Sequence, residues 1–132
     1  MTEAWQRDAR QLAERLIERG SVYDVDTLEL IYDVDQYLLF VESDGSVRRM
    51  DRAENLEQFK AWRDAGATPL STEADFLHVE EQKDSAVVLL RRRMGLDQPS
   101  QMFELRLRRT SQGWKVSGET VTPWPGDERG AI

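Results

Sequence analysis

The spacing of apolar residues along this chain changes from the repeat of a helix to the alternation of a strand. Before Gly66, apolar side chains recur at steps of three and four residues in three segments, which is the period of one helical face. Pro69 prevents the last of these segments from continuing. Beyond it, apolar residues fall into short runs separated by turn residues, a pattern typical of strands. Helices first and strands afterwards favour an α+β fold.

The predicted helices have recognisable end signals. Thr2 is placed to cap the first helix, and Gly20 is placed to provide its left-handed exit. Asp51 followed by Glu54 resembles a capping box at the start of the third. The three predicted helices cover residues 2–19, a short segment from Asp24 or Asp26 to about Asp33, and the segment from Asp51 to Gly66.

The remaining periodic segments are predicted strands. Asp44-Gly45 is a strong two-residue hairpin signal, so the first two strands should pair. Short turns connect the last four, which should form an antiparallel meander. Pro123 cannot continue a central strand, so we expect one domain over residues 1–122 and a flexible tail over residues 123–132. The predicted strands cover residues 37–42, 46–50, 73–82, 86–94, 102–110 and 114–121.

Composition excludes several classes of function. The chain has no cysteine, which excludes disulfides, thiolate nucleophiles and cysteine-ligated metal centres. Its net charge of −7 repels phosphate backbones and anionic lipid heads, so no nucleic-acid partner is expected. The first residues lack the pattern of a signal peptide, and no apolar run is long enough to cross a bilayer. We therefore expect a cytoplasmic protein with no membrane partner and no cofactor.

One stretch carries a resemblance to a known family. It contains a short helix ending in Leu30-Ile31-Tyr32-Asp33, the strand Leu38-Leu39-Phe40-Val41, the Asp44-Gly45 turn and a helix opening at Asp51-Arg52-Ala53-Glu54. Followed by a long meander, this order resembles the nuclear-transport-factor-2-like superfamily, and its small bacterial SnoaL-like members most of all. The resemblance implies a cone-shaped fold in which three N-terminal helices pack on a curved antiparallel sheet. Its members include isomerases, dehydratases, cyclases, transport factors and proteins with no known activity, so the fold alone does not predict a function.

The catalytic positions of the best-understood members are not retained. The ketosteroid-isomerase-like members use a carboxylate base, a tyrosine and a protonated aspartate. By element position, the resemblance puts the tyrosine near Ala13, the base near Leu39 to Val41 and the aspartate near Phe103. None of these positions has the required side chain. Isomerase chemistry of that kind is not expected.

Two side chains remain as candidate proton carriers. A slip of one or two residues in that comparison brings Glu42 or Glu104 into play, and Glu42 is kept as a candidate. The dehydratase-like members would require His78, the only histidine of the chain. His78 shares a strand face with Glu80, so its structural interpretation is a half-buried histidine bonded to a neighbour. No catalytic residue is assigned.

Two charged clusters have structural explanations. Four aspartates surround the second helix, but their spacing does not match an EF-hand loop, so capping and turns explain them and no metal site is predicted. Seven basic residues of the meander would suit an anion or RNA surface, but acidic residues on neighbouring strands predict cross-strand ion pairs on the outward face. The aspartates are Asp24, Asp26, Asp33 and Asp35; the basic residues are Arg91, Arg92, Arg93, Arg106, Arg108, Arg109 and Lys115; the expected acidic partners are Glu80, Glu81, Glu104 and Glu119.

Aromatic side chains on apolar faces are first of all core residues. The resemblance implies a cone open at one end, so some of them can line a pocket. The predicted ligand-binding residues are Tyr32, Phe40, Trp62, Phe103 and Trp114. The resulting hypothesis is a non-catalytic homodimer, paired through the outward sheet face, with a pocket for a small apolar ligand. The alternative is a SnoaL-like enzyme of the isomerase, cyclase or dehydratase class that acts on an apolar ring substrate by acid–base chemistry.

Overall fold

The computed structural model describes residues 3–125 of the chain. The predicted order of three helices, with a hairpin before the third and a four-stranded meander at the end, is confirmed. Residues 126–132 of the predicted tail lie outside the described part. The elements are a 3₁₀ turn, Ala4–Gln6, then α1 (Ala9–Ser21), α2 (Val25–Ile31), β1 (Tyr37–Val41), β2 (Val47–Asp51), α3 (Arg52–Asp64), β3 (Ala74–Glu81), β4 (Ser85–Arg93), β5 (Ser100–Thr110) and β6 (Gly113–Pro123).

The six strands form one curved sheet in the order β2-β1-β6-β5-β4-β3. Neighbouring strands are antiparallel except β1 and β6, which run parallel with Leu38 opposite Glu119. The sheet is therefore mixed and not purely antiparallel as expected. The first strand of the hairpin, and not the second, pairs with the end of the meander. The alternating pattern of the two hairpin strands does not determine which of them makes that contact.

The first helix begins and ends later than predicted. Asp8 caps α1, and its carboxylate accepts a hydrogen bond at 2.9 Å from the main chain one turn ahead. Thr2, the predicted cap, lies outside the described residues. Gly20 lies within the helix, and the left-handed residue beyond it is Tyr23, at φ 60°. The Tyr23 hydroxyl donates to the Thr68 carbonyl at 2.6 Å, which holds a conformation that costs a non-glycine residue about 1–2 kcal/mol.

The other two helices begin where their caps predict. Asp24 caps α2, and Asp51 and Glu54 exchange the two hydrogen bonds of a capping box at α3, at 2.8 and 3.0 Å. All three helices are short, with seven residues in α2 and 13 in each of the others. Within residues 3–125, no helix is long and apolar enough to span a membrane.

The core lies between the helices and the concave face of the sheet. α1 packs on β3, β4 and β6, whereas α3 contacts the β1–β2 hairpin. Leu12 and Leu16 of α1 are buried in one cluster with Val88 of β4 and Leu105 of β5. The alternate residues of these strands face the convex side, because successive side chains point to opposite faces.

A β-bulge in β6 reverses the alternation of its side chains. Consecutive residues of β5 pair with Val116 and Gly118, which leaves Ser117 as an extra residue. One extra residue moves every later side chain to the other face of a strand. Val116 is buried before the bulge, and Glu119 is buried after it, although the two are three residues apart. The bulge therefore directs Glu119 into the cone.

Candidate functional site

A cavity of about 260 Å³ lies between α1, α3 and the concave face of the sheet. Aliphatic and aromatic side chains form most of its wall. A mainly apolar cavity with a few convergent polar groups is the usual form of a small-molecule site. The residues with polar or charged groups that line it include Tyr32, Arg48, Asn55, Gln58, Arg92, Gln101 and Glu119.

A second depression is larger but more open. It measures about 930 Å³ and runs between residues 68–72 and residues 94–99, sharing Trp62, Met94 and Gln101 with the cone cavity. Asp97 is the one ionisable side chain among its described lining residues. The cone cavity is the stronger candidate, because its wall contains buried ionisable groups.

Four of the five predicted ligand-binding residues line the cone cavity. They are Tyr32, Phe40, Trp62 and Phe103. Trp114 is absent from the described lining and is fully buried in the core, with Arg109 stacked on its ring at 4.2 Å from the centroid. The helical or strand face of an aromatic residue can be predicted from sequence, but its distance from the open end of the cone cannot. Ligand contact by the four residues stays a prediction.

Neither candidate proton carrier lies at the cavity. Glu42 is exposed where β1 turns toward β2. The His78 side chain on β3 is 59% exposed, and its Nε2 lies 2.9 Å from Glu80 Oε1. This contact matches the interpretation of His78 as a histidine bonded to a neighbour, although the histidine is exposed and not half-buried.

The carboxylate at the cavity wall belongs to Glu119, which sequence reasoning placed on the outward face. That placement is wrong, because the bulge at Ser117 reverses the alternation on which it was based. Only 4% of Glu119 is exposed. Gln36 Nε2 donates a hydrogen bond to Glu119 Oε2 at 3.3 Å.

Burial makes Glu119 a weaker acid than an ordinary glutamate. It raises the pKa of the Glu119 carboxyl from the ordinary value of 4.5 to about 7, while Arg92, the hydrogen bond from Gln36, and Arg106 oppose the shift. A buried carboxyl with a pKa near neutrality can both accept and donate a proton. Glu119 is therefore the group of this cavity that is best suited to proton transfer.

Arg92 lines the same cavity from β4. It is 8% exposed, and its Nη2 donates to Ser21 Oγ at 3.1 Å and to the Ser71 carbonyl at 3.4 Å. Both acceptors are uncharged. Burial lowers the pKa of Arg92, and Glu119 opposes that shift. Alternation could have located this residue, because Arg92 shares the inward face of β4 with Leu90.

Tyr32 brings a buried hydroxyl to the cavity. Burial raises the pKa of this phenol above its ordinary value, the charge of Glu119 adds to the shift, and the Asn55 side chain opposes it. The Asn55 side chain is buried beside this hydroxyl. The wall therefore offers a neutral hydroxyl and an amide beside Glu119.

The aspartates around α2 have structural roles. Asp24 caps α2 and pairs with Arg19 at 2.9 Å. Asp33 is buried and pairs with Arg108 at 2.5 Å. Within the described range, no three or more histidine and acidic side chains are grouped so that they could hold a metal ion.

Ion pairs account for much of the basic stripe, with partners that differ in part from those expected. Arg91 lies 2.7 Å from Asp75 on the neighbouring strand, and Arg106 lies 2.6 Å from Glu104 on its own strand. Glu119, expected among these partners, and Arg92, expected in the outward stripe, face the cone instead.

Comparisons with known proteins support the fold. No family model matches the chain, and no curated protein matches it. A nuclear-transport-factor-2-like protein of unknown function from Silicibacter pomeroyi DSS-3 superposes with a TM-score of 0.71 at 15% identity, over 88% of this chain and 92% of that one. A dehydratase candidate of the nuclear-transport-factor-2-like family from Streptomyces avermitilis superposes with a TM-score of 0.67 at 18% identity, over 89% of this chain and 94% of that one. A nuclear-transport-factor-2-like protein of unknown function in nutrient uptake from Rhodospirillum rubrum ATCC 11170 superposes with a TM-score of 0.63 at 23% identity, over 89% of this chain and 98% of that one.

The architecture and these likenesses together define the class. A curved sheet covered on its concave face by three helices is an α+β cone. Its fold is that of the nuclear-transport-factor-2-like superfamily, as the resemblance in sequence pattern implies. At these identities the likeness shows the fold, and function has to be argued from the site.

Replacing Glu119 by glutamine should remove a pH-dependent loss of stability. Because the folded-state pKa of about 7 lies above the ordinary 4.5, the unfolded chain loses this proton first, so wild-type stability falls as pH rises between these values. The Glu119→Gln variant lacks this slope. Its advantage in free energy of unfolding should be small below pH 4.5 and reach roughly 3 kcal/mol above pH 7.

Urea denaturation at several pH values measures this difference. Glu42→Gln, the same substitution at an exposed glutamate, is the control and should leave the slope in place. A Glu119→Gln variant with the wild-type pH dependence would show that this carboxyl titrates normally.

Proposed function

We propose that this chain binds a small, mainly apolar molecule in the cone cavity. The observation that carries the proposal is the arrangement of the wall, where three buried ionisable groups, Glu119, Arg92 and Tyr32, lie among mainly apolar side chains. Apolar walls supply affinity through water exclusion, and a few buried polar groups select the orientation.

The size of the cavity limits the ligand. An apolar cavity of about 150 Å³ holds benzene, and pockets for drug-sized molecules start at about 300 Å³. At about 260 Å³, the cone cavity suits a single ring with a short substituent, or a short aliphatic chain.

Filling the cavity should abolish binding. Met50 lies on the wall and is half-buried, so Met50→Trp places a ring where the ligand would be. We expect saturation-transfer NMR to detect single-ring compounds on the wild type and to lose the signal in this variant. Val47→Trp changes a 59% exposed valine of the same strand and should bind normally. Equal binding by Met50→Trp would place the ligand elsewhere.

Acid–base catalysis in the same cavity is the second candidate. The observation that favours it is the buried carboxyl of Glu119 at the cavity wall. Burial raises the pKa of this group to about 7, which suits a group that takes and returns a proton at neutral pH. This replaces His78 and Glu42 as the proton carrier of the alternative hypothesis. The Streptomyces avermitilis neighbour, a dehydratase candidate, is consistent with this chemistry on this fold.

Proton exchange tests the second candidate. If Glu119 abstracts protons, wild-type protein in D₂O should exchange the carbon-bound proton beside the carbonyl of single-ring ketones. Glu119→Gln should slow the exchange about 100-fold or more, whereas Glu42→Gln, at an exposed glutamate, should leave it unchanged. Exchange that is equal in wild type and Glu119→Gln would exclude this role and leave binding.

We also propose a homodimer paired through the convex face of the sheet. Between its ion pairs this face carries partly exposed apolar side chains on two adjacent strands, Val87 and Leu89 of β4 and Met102 of β5. Such a face is suited to burial against a second copy. Glu119 cannot bridge such an interface, so Arg106 and Glu104 are the charged residues that we place there.

A charge in the centre of that face should prevent pairing. Leu89 lies opposite Glu104, so the amine of Leu89→Lys can be neutralised within the monomer while it opposes apolar contact between copies. We expect sedimentation to give a dimer for the wild type and a monomer for this variant. Val47→Lys, an exposed change on the far edge strand, is the control. A monomeric wild type, or a dimeric Leu89→Lys, would exclude this surface.

A further inference from the structure

Arg92 is a buried cation without an anion in contact. Its Nη2 donates only to the Ser21 hydroxyl and the Ser71 carbonyl, and its buried Nε has no partner in the protein. Across residues 3–125, no carboxylate oxygen lies within 4.0 Å of this guanidinium. Other partly buried arginines do have such partners, as Arg91 has Glu73 and Asp75.

The other ionisable group of the wall does not supply the missing charge. Glu119 influences Arg92 through the Coulomb field but makes no salt bridge with it. Burial also favours the protonated form of this carboxyl, and Tyr32 remains a neutral phenol. A buried charge without a bonded counter-ion is costly, and a ligand with one negative charge would remove that cost.

We propose that the ligand of the cone cavity is a small monocarboxylic acid whose carboxylate binds Arg92 while its ring or chain packs on Phe40 and Phe103. This inference rests on the proposed function and specifies the chemical class of its ligand. A guanidinium matches a carboxylate with two parallel hydrogen bonds. Arg92 is the one buried cation of the described wall. With a volume of about 260 Å³, the cavity suits a monoanion better than a phosphate ester, which carries more charge than Arg92 can balance.

Glu119 gives this binding a dependence on pH. A second carboxylate in the cavity is tolerated when Glu119 keeps its proton and donates it in a hydrogen bond, so acid affinity should fall as pH rises above 7. The charged and titratable groups that face Glu119 are Arg92 of β4, Arg106 of β5 and Tyr32 beyond α2. Arg48 of β2 lines the cavity but is exposed.

A matched pair of probes tests the inference. Phenylacetate and phenylacetamide share one ring and one chain length and differ in charge. By calorimetric titration at about pH 6, the wild type should bind the acid about 10- to 100-fold more tightly than the amide. Arg92→Met should remove this preference and keep amide binding. Arg49→Met removes an exposed positive charge from the next residue of β2, which is not among the described lining residues, and should keep the preference.

A second measurement does not depend on the folding of the Arg92 variant. In the wild type, phenylacetate should shift the NMR signal of the Arg92 side-chain Nε–H, and phenylacetamide should not. Glu119→Gln should bind the acid with less pH dependence between about pH 6 and pH 8. Equal affinity for acid and amide, or an Arg92 signal that does not shift, would overturn the inference that the ligand is a carboxylic acid. The proposal that the cavity binds a small molecule would remain. Binding of neither probe at millimolar concentration would overturn both.

Discussion

The concave face of the sheet is the surface on which the rest of this structure depends. It is apolar, so it has to be covered, and α1 covers β3, β4 and β6 while α3 contacts the hairpin. Each fully buried leucine or valine contributes about 1.5–3 kcal/mol relative to exposure, so α1 stabilises the meander end of the cone. The two helices leave space between them over the middle of the sheet. The cavity is the part of the concave face that neither helix covers.

The sequence predicted the fold well, because the fold depends on periodicity and on end signals. The capping box of Asp51 and Glu54 and the change of period after Gly66 are local features, and each has the expected structure. The hairpin also turns at Asp44-Gly45, but with three residues between the paired Glu42 and Ser46 where two were predicted. The errors arose where local sequence features do not determine the structure. The periodicity of the first helix did not reveal the 3₁₀ turn before Asp8, and strand alternation did not reveal which hairpin strand joins the meander.

The candidate site was less predictable than the fold, because a change of strand register at one residue decides which side chains enter the cavity. Alternation predicts a strand's faces only while its register holds, and one extra residue at Ser117 moves Glu119 from the convex side to the cone. Arg92 lies on a strand without such a break, so its inward direction was predictable although its missing partner was not. Burial of Glu119 and Arg92 is weak evidence that they stabilise the fold, because buried ionic groups can often be replaced by apolar ones without loss of stability.

The bulge has a consequence for how the two sides of the sheet affect each other. Gly118 lies beneath Arg106, and a Cβ there would come within 2.7 Å of Arg106 Nη2, so the absence of a side chain lets the guanidinium lie close to the backbone. From the convex side, the charge of Arg106 opposes the rise that burial causes in the pKa of Glu119 inside the cone. Any contact on the convex face that displaces this guanidinium changes the proton affinity of the cavity. Arg106 therefore couples the two faces of the sheet electrostatically, because the same charge lies on the convex face and acts on Glu119 in the cavity.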